Sequence, residues 1–367
     1  MMRHRLPLFG RLDRYVTSHF ASSYSVALLL VVGLFWILDM ASNLDEFLEP
    51  WEDGETVGSM VLVRYYVLNL PFLFLQVAPF VTLVAGMFTV NRLLKKNEIV
   101  AALGAGISAH RLLLPVFLGG ILAALGMVVM REWVGERVAS RRDALLDVLE
   151  NKRHEPVYEN LWVRDLSGSF VRLSEFVPGD DGRPAEARGF AAVLRTSNAV
   201  VHISATRAVW DGSRWQLEGG VRSIVGDEKL VESVDVLEGF EFTPELVMTY
   251  RRAGANPLEL SFSEIQDLMR RDPDSVIYQT LWQYHLTFPL ANIVLLLIGI
   301  PVMIAYERGR GTDRMALGGV LCLFYFGADF VCRTIGLEGG LSPVLASWLP
   351  VLAFGSLGIV LYDSIRT

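Results

Sequence analysis

The sequence has few of the residues and motifs that carry covalent chemistry. Its 2 cysteines, Cys322 and Cys332, lie in an apolar stretch, and its 6 histidines are scattered without metal-ligand spacing. The phosphate-binding loop GxxxxGKS/T, the zinc motif HExxH, the CxxC pair and the nucleophile elbow GxSxG do not occur. We therefore expect a protein that is not itself an enzyme and that holds neither a metal nor a cofactor.

Positive charge is also limited. The 33 Lys and Arg residues stand against 40 Asp and Glu residues, for a net charge of −7 at pH 7. This balance argues against a nucleic-acid partner, which would favour a basic surface. Ionisable residues are sparse within the apolar runs, whereas ion-coupled transporters use chains of buried ionisable groups. Any work that the protein performs is expected to draw its energy from another protein.

Long uncharged runs dominate what is present, and 52% of the residues are hydrophobic. A helix needs about 20 apolar residues to cross about 30 Å of hydrocarbon. Six runs approach or exceed this length, although the fifth includes two charged residues. The six predicted spans are residues 20–38, 65–90, 112–130, 286–306, 315–337 and 341–362.

The Lys and Arg residues of the short loops predict the orientation, because these residues concentrate on the cytoplasmic side. With both termini in the cytoplasm, the inner segments carry Arg3, Arg5, Arg11, Arg14, Arg92, Lys95, Lys96, Arg111, Arg308, Arg310, Arg314 and Arg366. The outer short segments carry only Arg64 and Arg333. We therefore expect cytoplasmic N- and C-termini.

The region between spans three and four contains no membrane-spanning segment and falls on the outer side. Residues 134–150 are predicted to form an amphipathic helix that continues span three. Ser261 and Glu264 have capping-box spacing, which predicts a helix at 261–269 that leads towards span four. The predicted domains are an N-terminal transmembrane half at 1–134, an outer domain at 135–274 and a C-terminal transmembrane half at 275–367.

The outer domain is predicted to be built from β-strands. Alternating apolar and polar residues predict strands at 169–173, 199–203 and 215–218. Asp211-Gly212, between Trp210 and Trp215, predicts a hairpin turn. Short strands separated by turns fit a sandwich or a jelly roll. The predicted fold class is a six-span α-helical membrane protein with an inserted, periplasmic all-β domain of jelly-roll type.

The loop between spans two and three has a pattern of its own. An apolar helical stripe is formed by Leu93, Leu94, Ile99, Ala102 and Leu103. The run Gly104-Ala105-Gly106 then predicts a flexible exit from that helix. A short amphipathic helix can rest on lipid headgroups or dock into a groove of a partner. The residues alone leave both alternatives open.

This loop carries a resemblance to a known family. The segment Asn97-Glu98-Ile99-Val100-Ala101-Ala102-Leu103-Gly104-Ala105-Gly106-Ile107-Ser108 resembles the coupling helix of the lipopolysaccharide-export permeases LptF and LptG. Further similar segments follow in the same order along the chain. They are Leu12-Asp13-Arg14-Tyr15, Leu161-Trp162-Val163-Arg164-Asp165, the hairpin Trp210-Asp211-Gly212-Ser213-Arg214-Trp215, and Tyr278-Gln279 with Trp282 and Pro289-Leu290. The first and last look more like LptG than LptF.

The resemblance implies a permease subunit of an ABC transporter in a Gram-negative-type inner membrane. Its partners would be an LptB-like ATPase dimer, an LptF-like paralogue, an LptC-like protein and a periplasmic bridge protein. The substrate would be lipopolysaccharide, taken among membrane lipids from a cavity between spans one and five and passed to the periplasmic β domain. ATP would be used by the partner, and no nucleic acid is involved.

The resemblance also implies roles for particular residues. The coupling helix at 91–108 would contact the ATPase through Glu98, Ile99, Ala102, Leu103 and Gly106. A solvated charge paired with Lys95 or Arg92 is the simpler interpretation of Glu98.

Five residues near the outer membrane face are candidates for lipid binding. They are Arg333, Asp329, Arg64, Arg131 and His285. Asp329 and Arg333 lie four residues apart, so that an ion pair between them is the alternative interpretation. Arg64 and Arg131 also fit snorkelling anchors, and His285 also fits a helix-packing role.

One departure from the family leaves the substrate open. LptG proteins carry basic residues at the outer end of span one, whereas this chain has Asp39, Asn43, Asp45 and Glu46 there. A less anionic envelope lipid or a lipoprotein is therefore an alternative substrate. A membrane-anchored assembly or receptor protein, whose β domain binds a periplasmic partner, is the alternative of a different class.

Overall fold

A computed structural model describes most of the chain. The described residues are 10–48, 59–151, 157–166, 168–179, 183–196, 199–224, 227–237, 242–305 and 311–365. They form two compact units, each discontinuous in sequence. The helical unit lies within Met1–Ser42, Leu70–Arg131 and Gln279–Thr367, and the sheet unit lies within Asn43–Asn69 and Glu132–Tyr278.

Six helices of the described chain are long and apolar enough to cross a membrane, which confirms the six predicted runs. Their membrane-compatible segments are Arg11–Asn43, Met60–Lys95, Ala109–Gly135, Val276–Ile304, Asp313–Leu337 and Pro343–Asp363. The helices that contain them are α1 (Arg11–Leu48), α2 (Ser59–Lys95), α4 (Ala109–Arg137), α8 (Val276–Thr287) with α9 (Ala291–Ala305), α10 (Gly311–Leu337) and α11 (Pro343–Asp363). The short α3 (Glu98–Gly104) lies between α2 and α4.

Prolines affect these helices unequally. Pro289 lies in a 3₁₀ turn, Phe288–Leu290, which separates α8 from α9 within span four. Pro71 and Pro79 lie inside α2, which continues past both residues without interruption. Proline removes one helical hydrogen bond and crowds the preceding turn, but a helix can bend around it.

Close packing in the helical unit depends on small residues that face one leucine. A Cβ atom added to Gly86 would lie 2.4 Å from Leu296 Cδ2, and one added to Gly120 would lie 2.6 Å from Leu296 Cδ1. Glycine at both positions lets the backbones of α2 and α4 approach α9, which is how membrane helices gain van der Waals contact. The core of the unit continues through fully buried residues such as Leu113, Val116 and Ile300.

The sheet unit contains seven described antiparallel strands. They are β1 (Tyr158–Arg164), β2 (Phe170–Val177), β3 (Glu186–Thr196), β4 (Ala199–Trp210), β5 (Trp215–Glu218), β6 (Val221–Ile224) and β7 (Asp227–Ser233). The order is β1-β2-β3-β4-β6-β7, and β5 also pairs with β4. The predicted strands at 169–173, 199–203 and 215–218 are thereby confirmed.

The long strand β4 has two partners on one edge. Arg207–Trp210 pair with β5, and Val201–Ser204 pair with β6. Gly219 and Gly220 interrupt the returning strand, and a Cβ atom on Gly220 would lie 2.0 Å from the Val234 carbonyl oxygen. β5 and β6 together form the strand that returns after β4, because only Gly219 and Gly220 separate them. Each described pairing therefore joins consecutive passes of the chain, and the sheet is a meander. The jelly roll stays a prediction, because it requires two Greek keys.

Two local signals within the sheet unit are confirmed in detail. Trp210 pairs with Trp215 across the predicted hairpin, and the Asp211 carboxylate accepts from the backbone nitrogens of Ser213 (2.8 Å) and Arg214 (2.7 Å). The predicted capping box is present at Ser261 and Glu264 and begins α7 (Phe262–Arg271). The helix expected at 134–150 is divided at Val138, where α4 gives way to α5 (Ala139–Asn151).

The core of the sheet unit lies on one face of the sheet. Val171 and Leu173, which alternate along β2, belong to this core, and so does Phe176, three residues further on. The Trp215 indole nitrogen donates to the Phe242 carbonyl oxygen at 2.7 Å. Helix α6 (Pro244–Ala255) contributes Val247 to the same core, so one helix covers part of this apolar face.

Candidate functional site

The loop predicted to couple to an ATPase contains a single short helix with defined ends. Asn97 precedes α3 in the left-handed region, with φ of 58°, a conformation that asparagine tolerates better than most residues. Gly106 follows the helix with φ of 78°, where glycine is free of steric cost. The backbone nitrogens of Ala105 and Gly106 donate to carbonyl oxygens of the helix, so the exit is closed by main-chain hydrogen bonds.

Three of the predicted coupling residues lie on the face of α3 that packs against the core of the helical unit. Ile99 is only 4% exposed and belongs to the core of the helical unit, and Ala102 and Leu103 are half-buried against the same core. Val100 is 65% exposed, and Gly106 is also exposed. The apolar stripe therefore seats α3 on its own spans. A docking partner would meet the opposite face, which sequence periodicity does not identify.

Glu98 is half-buried at the first residue of α3 and has two partners. The Tyr15 hydroxyl donates to Glu98 Oε1 at 2.7 Å, and Lys96 Nζ lies 3.9 Å from the same oxygen. The alternative of an ion pair with a nearby basic residue is thus present, but its partner is Lys96 and not Lys95 or Arg92. Glu98 Oε2 has no hydrogen-bond partner within the described residues. One oxygen of the carboxylate is thus held by span one, while the other is unsatisfied.

A second contact joins span one to the far end of this loop. Arg111, in the first turn of α4, donates to Asp13 Oδ1 at 2.5 Å and to Asp13 Oδ2 at 2.7 Å. Asp13 is buried and also accepts from the Gly10 backbone nitrogen at 2.9 Å. A two-fold guanidinium–carboxylate pair fixes both distance and orientation.

A cleft of about 450 Å³ lies beside this pair. It is lined by Thr17, Ser18, Leu114 and other residues of α1 and α4. The polar residues come from the start of α1, and the apolar residues come mainly from α4. The cleft therefore lies between the two helices that the Asp13–Arg111 contact joins.

The lipid-binding candidates of span five do not form the alternative ion pair. The Arg333 guanidinium lies 4.7 Å from the Tyr284 ring centroid and 5.8 Å from the Phe330 ring centroid. Within the described residues no ion pair joins it to Asp329, which is 5% exposed. The two side chains are thus not in direct contact, and the role of both residues stays a prediction. Arg333 is held by aromatic faces, and this arrangement leaves the guanidinium edge able to donate.

The remaining lipid-binding candidates occupy different environments. His285 is completely buried in the helical unit, in agreement with a packing role. Arg131 is also buried, so the interpretation as a snorkelling anchor is wrong. Arg64 is exposed and belongs to the sheet unit. Arg131, His285, Asp329 and Arg333 all lie in the helical unit, and Arg64 is the candidate outside it.

The acidic end of span one is only partly described. Asp39 and Asn43 are half-buried, and the helix α1 includes Asp45 and Glu46. The arginines at 3, 5, 308, 310 and 366, which support the predicted orientation, lie outside the described residues. Within the described part of the chain, no group of His, Cys, Asp and Glu side chains could hold a metal ion.

The electrostatics of the sheet unit are dominated by arginine pairs. The Arg207 guanidinium donates to Glu186 at 2.8 Å and, together with Arg188, lowers the pKa of that carboxyl. Burial acts to lower the pKa of Arg142, but its bonds to Glu259 and Asp143 outweigh burial and raise that pKa. These groups therefore remain charged near neutral pH and act as fixed contacts, since none is poised to exchange a proton.

Sequence reasoning missed Asp13 and Tyr15 as site residues. Both lie in the segment Leu12-Asp13-Arg14-Tyr15, which was singled out by resemblance without a role. Their partners are 98 and 83 residues away along the chain. No local pattern predicts contacts over such separations.

Comparison with known proteins agrees with this geometry. The sequence model of the family described as Lipopolysaccharide export system permease LptF/LptG matches residues 14–364. The chain has no match among curated proteins. The match does not separate LptF from LptG, so the closer likeness to LptG stays a prediction. Because the match extends over nearly the whole described chain, this multi-pass membrane protein belongs to the LptF/LptG family of lipopolysaccharide export permeases.

Proposed function

We propose that this chain is a permease subunit of an ABC transporter that extracts lipopolysaccharide from the inner membrane and passes it to a periplasmic bridge. The family match over residues 14–364 is the observation that carries the proposal. Three candidate spans precede the strands in the sequence and three follow them, which supports two transmembrane halves around a periplasmic domain. The Lys and Arg distribution supports cytoplasmic termini.

The energy is proposed to enter at α3 from a separate, LptB-like ATPase dimer. The sequence contains no phosphate-binding loop, so ATP is bound elsewhere. The exposed face around Val100 would enter a groove of the ATPase, while Ile99, Ala102 and Leu103 transmit its displacement to the spans on which they are seated. The Glu98 carboxylate would pair with a basic group of the ATPase. Its Oε2 is buried and has no hydrogen-bond partner among the described residues, so this contact requires α3 to shift when the ATPase docks.

The lipid path is proposed to run beside spans one and five, against an LptF-like paralogue. Both helices present large apolar side chains outward, including Leu29 at 74% exposure on α1 and Leu323 at 73% on α10. Such faces require lipid or another membrane helix as neighbour. Arg333, at the outer end of α10, is the proposed contact for a lipid phosphate, since guanidinium and phosphate geometries match.

The proposal is tested on the affinity-tagged chain, purified in a mild detergent and analysed by mass spectrometry for bound proteins and lipids. We expect an ABC ATPase, a second six-span permease, an LptC-like protein and lipopolysaccharide. Glu98→Gln should reduce recovery of the ATPase by about tenfold, because a charged hydrogen bond contributes roughly 1.5 kcal/mol or more. The matched control is Glu218→Gln, an exposed carboxylate on β5. Unchanged recovery for both variants would reject the role of Glu98.

A different lipid substrate is favoured by one observation, the acidic residues at the outer end of span one. Carboxylates there would repel lipid phosphates. If the bound lipid carries little or no phosphate, the chain is a permease for another envelope lipid or a lipoprotein. If periplasmic partners are recovered without any ATPase, an assembly or receptor role replaces transport.

A further inference from the structure

Helix α1 contacts both ends of the coupling loop through two nearby residues. The Tyr15 hydroxyl donates to Glu98 Oε1 at 2.7 Å, at the first residue of α3. Asp13 forms its two-fold contact with Arg111, three residues after the loop ends at Ser108. Residues 98–111 are therefore bracketed by contacts with one short segment of span one.

The geometry around Tyr15 gives the first contact a defined direction. The ring of His19 packs edge-on against the Tyr15 ring, with centroids 4.3 Å apart and an interplanar angle of 83°. Val16, the residue after Tyr15, is buried in the same core as Ile99 of α3 and so holds this part of α1 in place. The Tyr15 hydroxyl is thus aimed at α3 from a fixed backbone.

Span one makes further packing contacts beyond these two residues, and Tyr24 lies against the core of the helical unit. Phe20 packs against Gly119, where an added Cβ atom would lie 2.3 Å from the ring, and Ala27 is buried. Beyond Ala27 the helix is largely exposed, as at Leu30 and Ile37. The described contacts of α1 with Glu98 of α3 and Arg111 of α4 both lie in its first two turns. A displacement of α3 or α4 therefore acts directly on that end of span one.

We propose that Asp13 and Tyr15 form a two-point clamp that makes span one follow the coupling helix. The clamp rests on the proposed function, in which the ATPase displaces α3. One contact would let α1 pivot about a point, whereas two contacts at opposite ends of the loop define an axis. Tyr15 and Asp13 are positioning residues that act through Glu98 and Arg111, and they touch neither ATP nor the lipid.

The clamp is tested by the distance between spin labels on α1 and α3. Thr17→Cys on α1 and Ala105→Cys at the end of α3, both at exposed positions, carry the labels in a background with Cys322→Ala and Cys332→Ala, and Val100 is left free for the ATPase. In the complex with its ATPase, the distance should change by less than about 2 Å between the nucleotide-free and ATP-trapped states. Tyr15→Phe should broaden the distribution of label distances and make the mean distance differ between the nucleotide-free and ATP-trapped states. A distance change of more than about 2 Å in the protein with Asp13 and Tyr15 intact would overturn the proposal. So would an unchanged distance distribution in Tyr15→Phe.

Matched variants separate the clamp from general damage. Tyr24→Phe deletes a hydroxyl from the same helix, nine residues or about 14 Å further along, and should leave the distance unchanged. Asp13→Arg and Arg111→Asp should each broaden the distribution, and their combination should narrow it again. If the double variant Asp13→Arg/Arg111→Asp keeps the broad distance distribution and Tyr15→Phe leaves the distribution unchanged, these contacts only stabilise the fold.

The functional consequence is measured as ATP hydrolysis against lipid release in proteoliposomes. Tyr15→Phe should keep ATP hydrolysis and lower lipid release by about fivefold or more, a typical coupling effect. Equal loss of both activities would contradict the clamp. If the unmodified chain recovers no ATPase, the proposed function fails, but the label distance in the isolated chain still tests the clamp, since Tyr15→Phe should broaden it there too.

Discussion

Three helices of the helical unit meet at one amide, that of Asn292. Its nitrogen donates to the Pro289 carbonyl oxygen at 2.9 Å and lies 3.1 Å from Met127 Sδ on α4. Thr82 Oγ1 on α2 lies 2.6 Å from Asn292 Oδ1 and 2.8 Å from the Ala78 carbonyl oxygen, so one proton is shared between two acceptors. The Asn292 side chain thus gives the Pro289 carbonyl oxygen, at the 3₁₀ turn, a hydrogen bond in addition to the one that it accepts from a backbone nitrogen at the end of the turn.

Removal of the Thr82 hydroxyl tests the contact with Asn292. Thr82→Val is expected to destabilise the protein by about 0.6–1 kcal/mol, the usual contribution of a hydrogen bond between membrane helices. The measurement is reversible unfolding in mixed micelles of increasing SDS content. Thr89→Val is the control, because Thr89 is equally buried on α2 and bonds the Ala85 carbonyl oxygen of its own helix at 2.7 Å. Equal effects of the two substitutions would contradict an interhelical contribution.

The hairpin turn of the sheet unit provides a second test at single-residue scale. Backbone donors at Arg214 and Ser213 lower the pKa of Asp211 to about 2, below the unfolded value of roughly 3.9. A lowered pKa contributes stability that is present above the unfolded value and is lost as pH falls towards the folded value. Asp211→Ala should therefore lower the unfolding temperature at about pH 5, and the difference from the unmodified protein should shrink towards about pH 2.5.

The measurement for Asp211 is thermal unfolding in detergent at each pH. Glu232→Ala, an exposed carboxylate on β7, should show no such convergence. A difference for Asp211→Ala that stays constant with pH would mean that shape, rather than charge, accounts for the effect.

Helix α5 is attached within the sheet unit by charge. Arg142 is 4% exposed and donates to Asp143 at 2.7 Å and to both oxygens of Glu259, in the 3₁₀ turn Pro257–Glu259 after α6. Arg251 also lies 3.4 Å from Asp143. Arg252 on α6 donates to Glu264 on α7 and to the Gly135 carbonyl oxygen. Ion pairs therefore join α5 to α6 and α6 to α7.

For helix α5 we expect Arg142→Met to destabilise the sheet unit by about 3 kcal/mol, because it removes a main partner from the buried Asp143 and the half-buried Glu259. The measurement is the guanidinium chloride concentration at the midpoint of unfolding of the full chain, monitored by tryptophan fluorescence. Arg188→Met, which removes exposed ion pairs from the sheet, should give no measurable change. If both variants unfold at the same midpoint, the buried pairs do not hold α5.

At the scale of the whole molecule, the proposed topology places the hairpin outside and α3 inside. In a background with Cys322→Ala and Cys332→Ala, Ser213→Cys should react with a membrane-impermeant maleimide added to spheroplasts. Ala105→Cys should react only after permeabilisation. Both positions are exposed, so lack of reaction reports the side of the membrane and not burial. The reverse pattern would invert the orientation and place α3 out of reach of a cytoplasmic ATPase.

The sequence alone determined the features that depend on neighbours a few residues apart. Six spans follow from the length of the apolar runs, and the hairpin at Asp211-Gly212 and the capping box at Ser261 follow from local hydrogen bonding. Each of these patterns acts within one turn or one run of the chain, so its energy does not depend on what packs against it. A helix in the loop between spans two and three was also predicted, but its bounds of 91–108 are wrong: α2 continues to Lys95, Asn97 adopts a left-handed conformation, and α3 covers only Glu98–Gly104.

Only the tertiary structure decided which face of that helix is available and what holds it. The apolar stripe of Ile99, Ala102 and Leu103 could equally have faced a partner, and packing of the spans turned it inward. Glu98 meets Tyr15 across 83 residues, and Thr82 meets Asn292 across 210. Such pairs depend on how each helix is rotated and shifted against the next, and this is set by the summed packing of many side chains and by no local pattern.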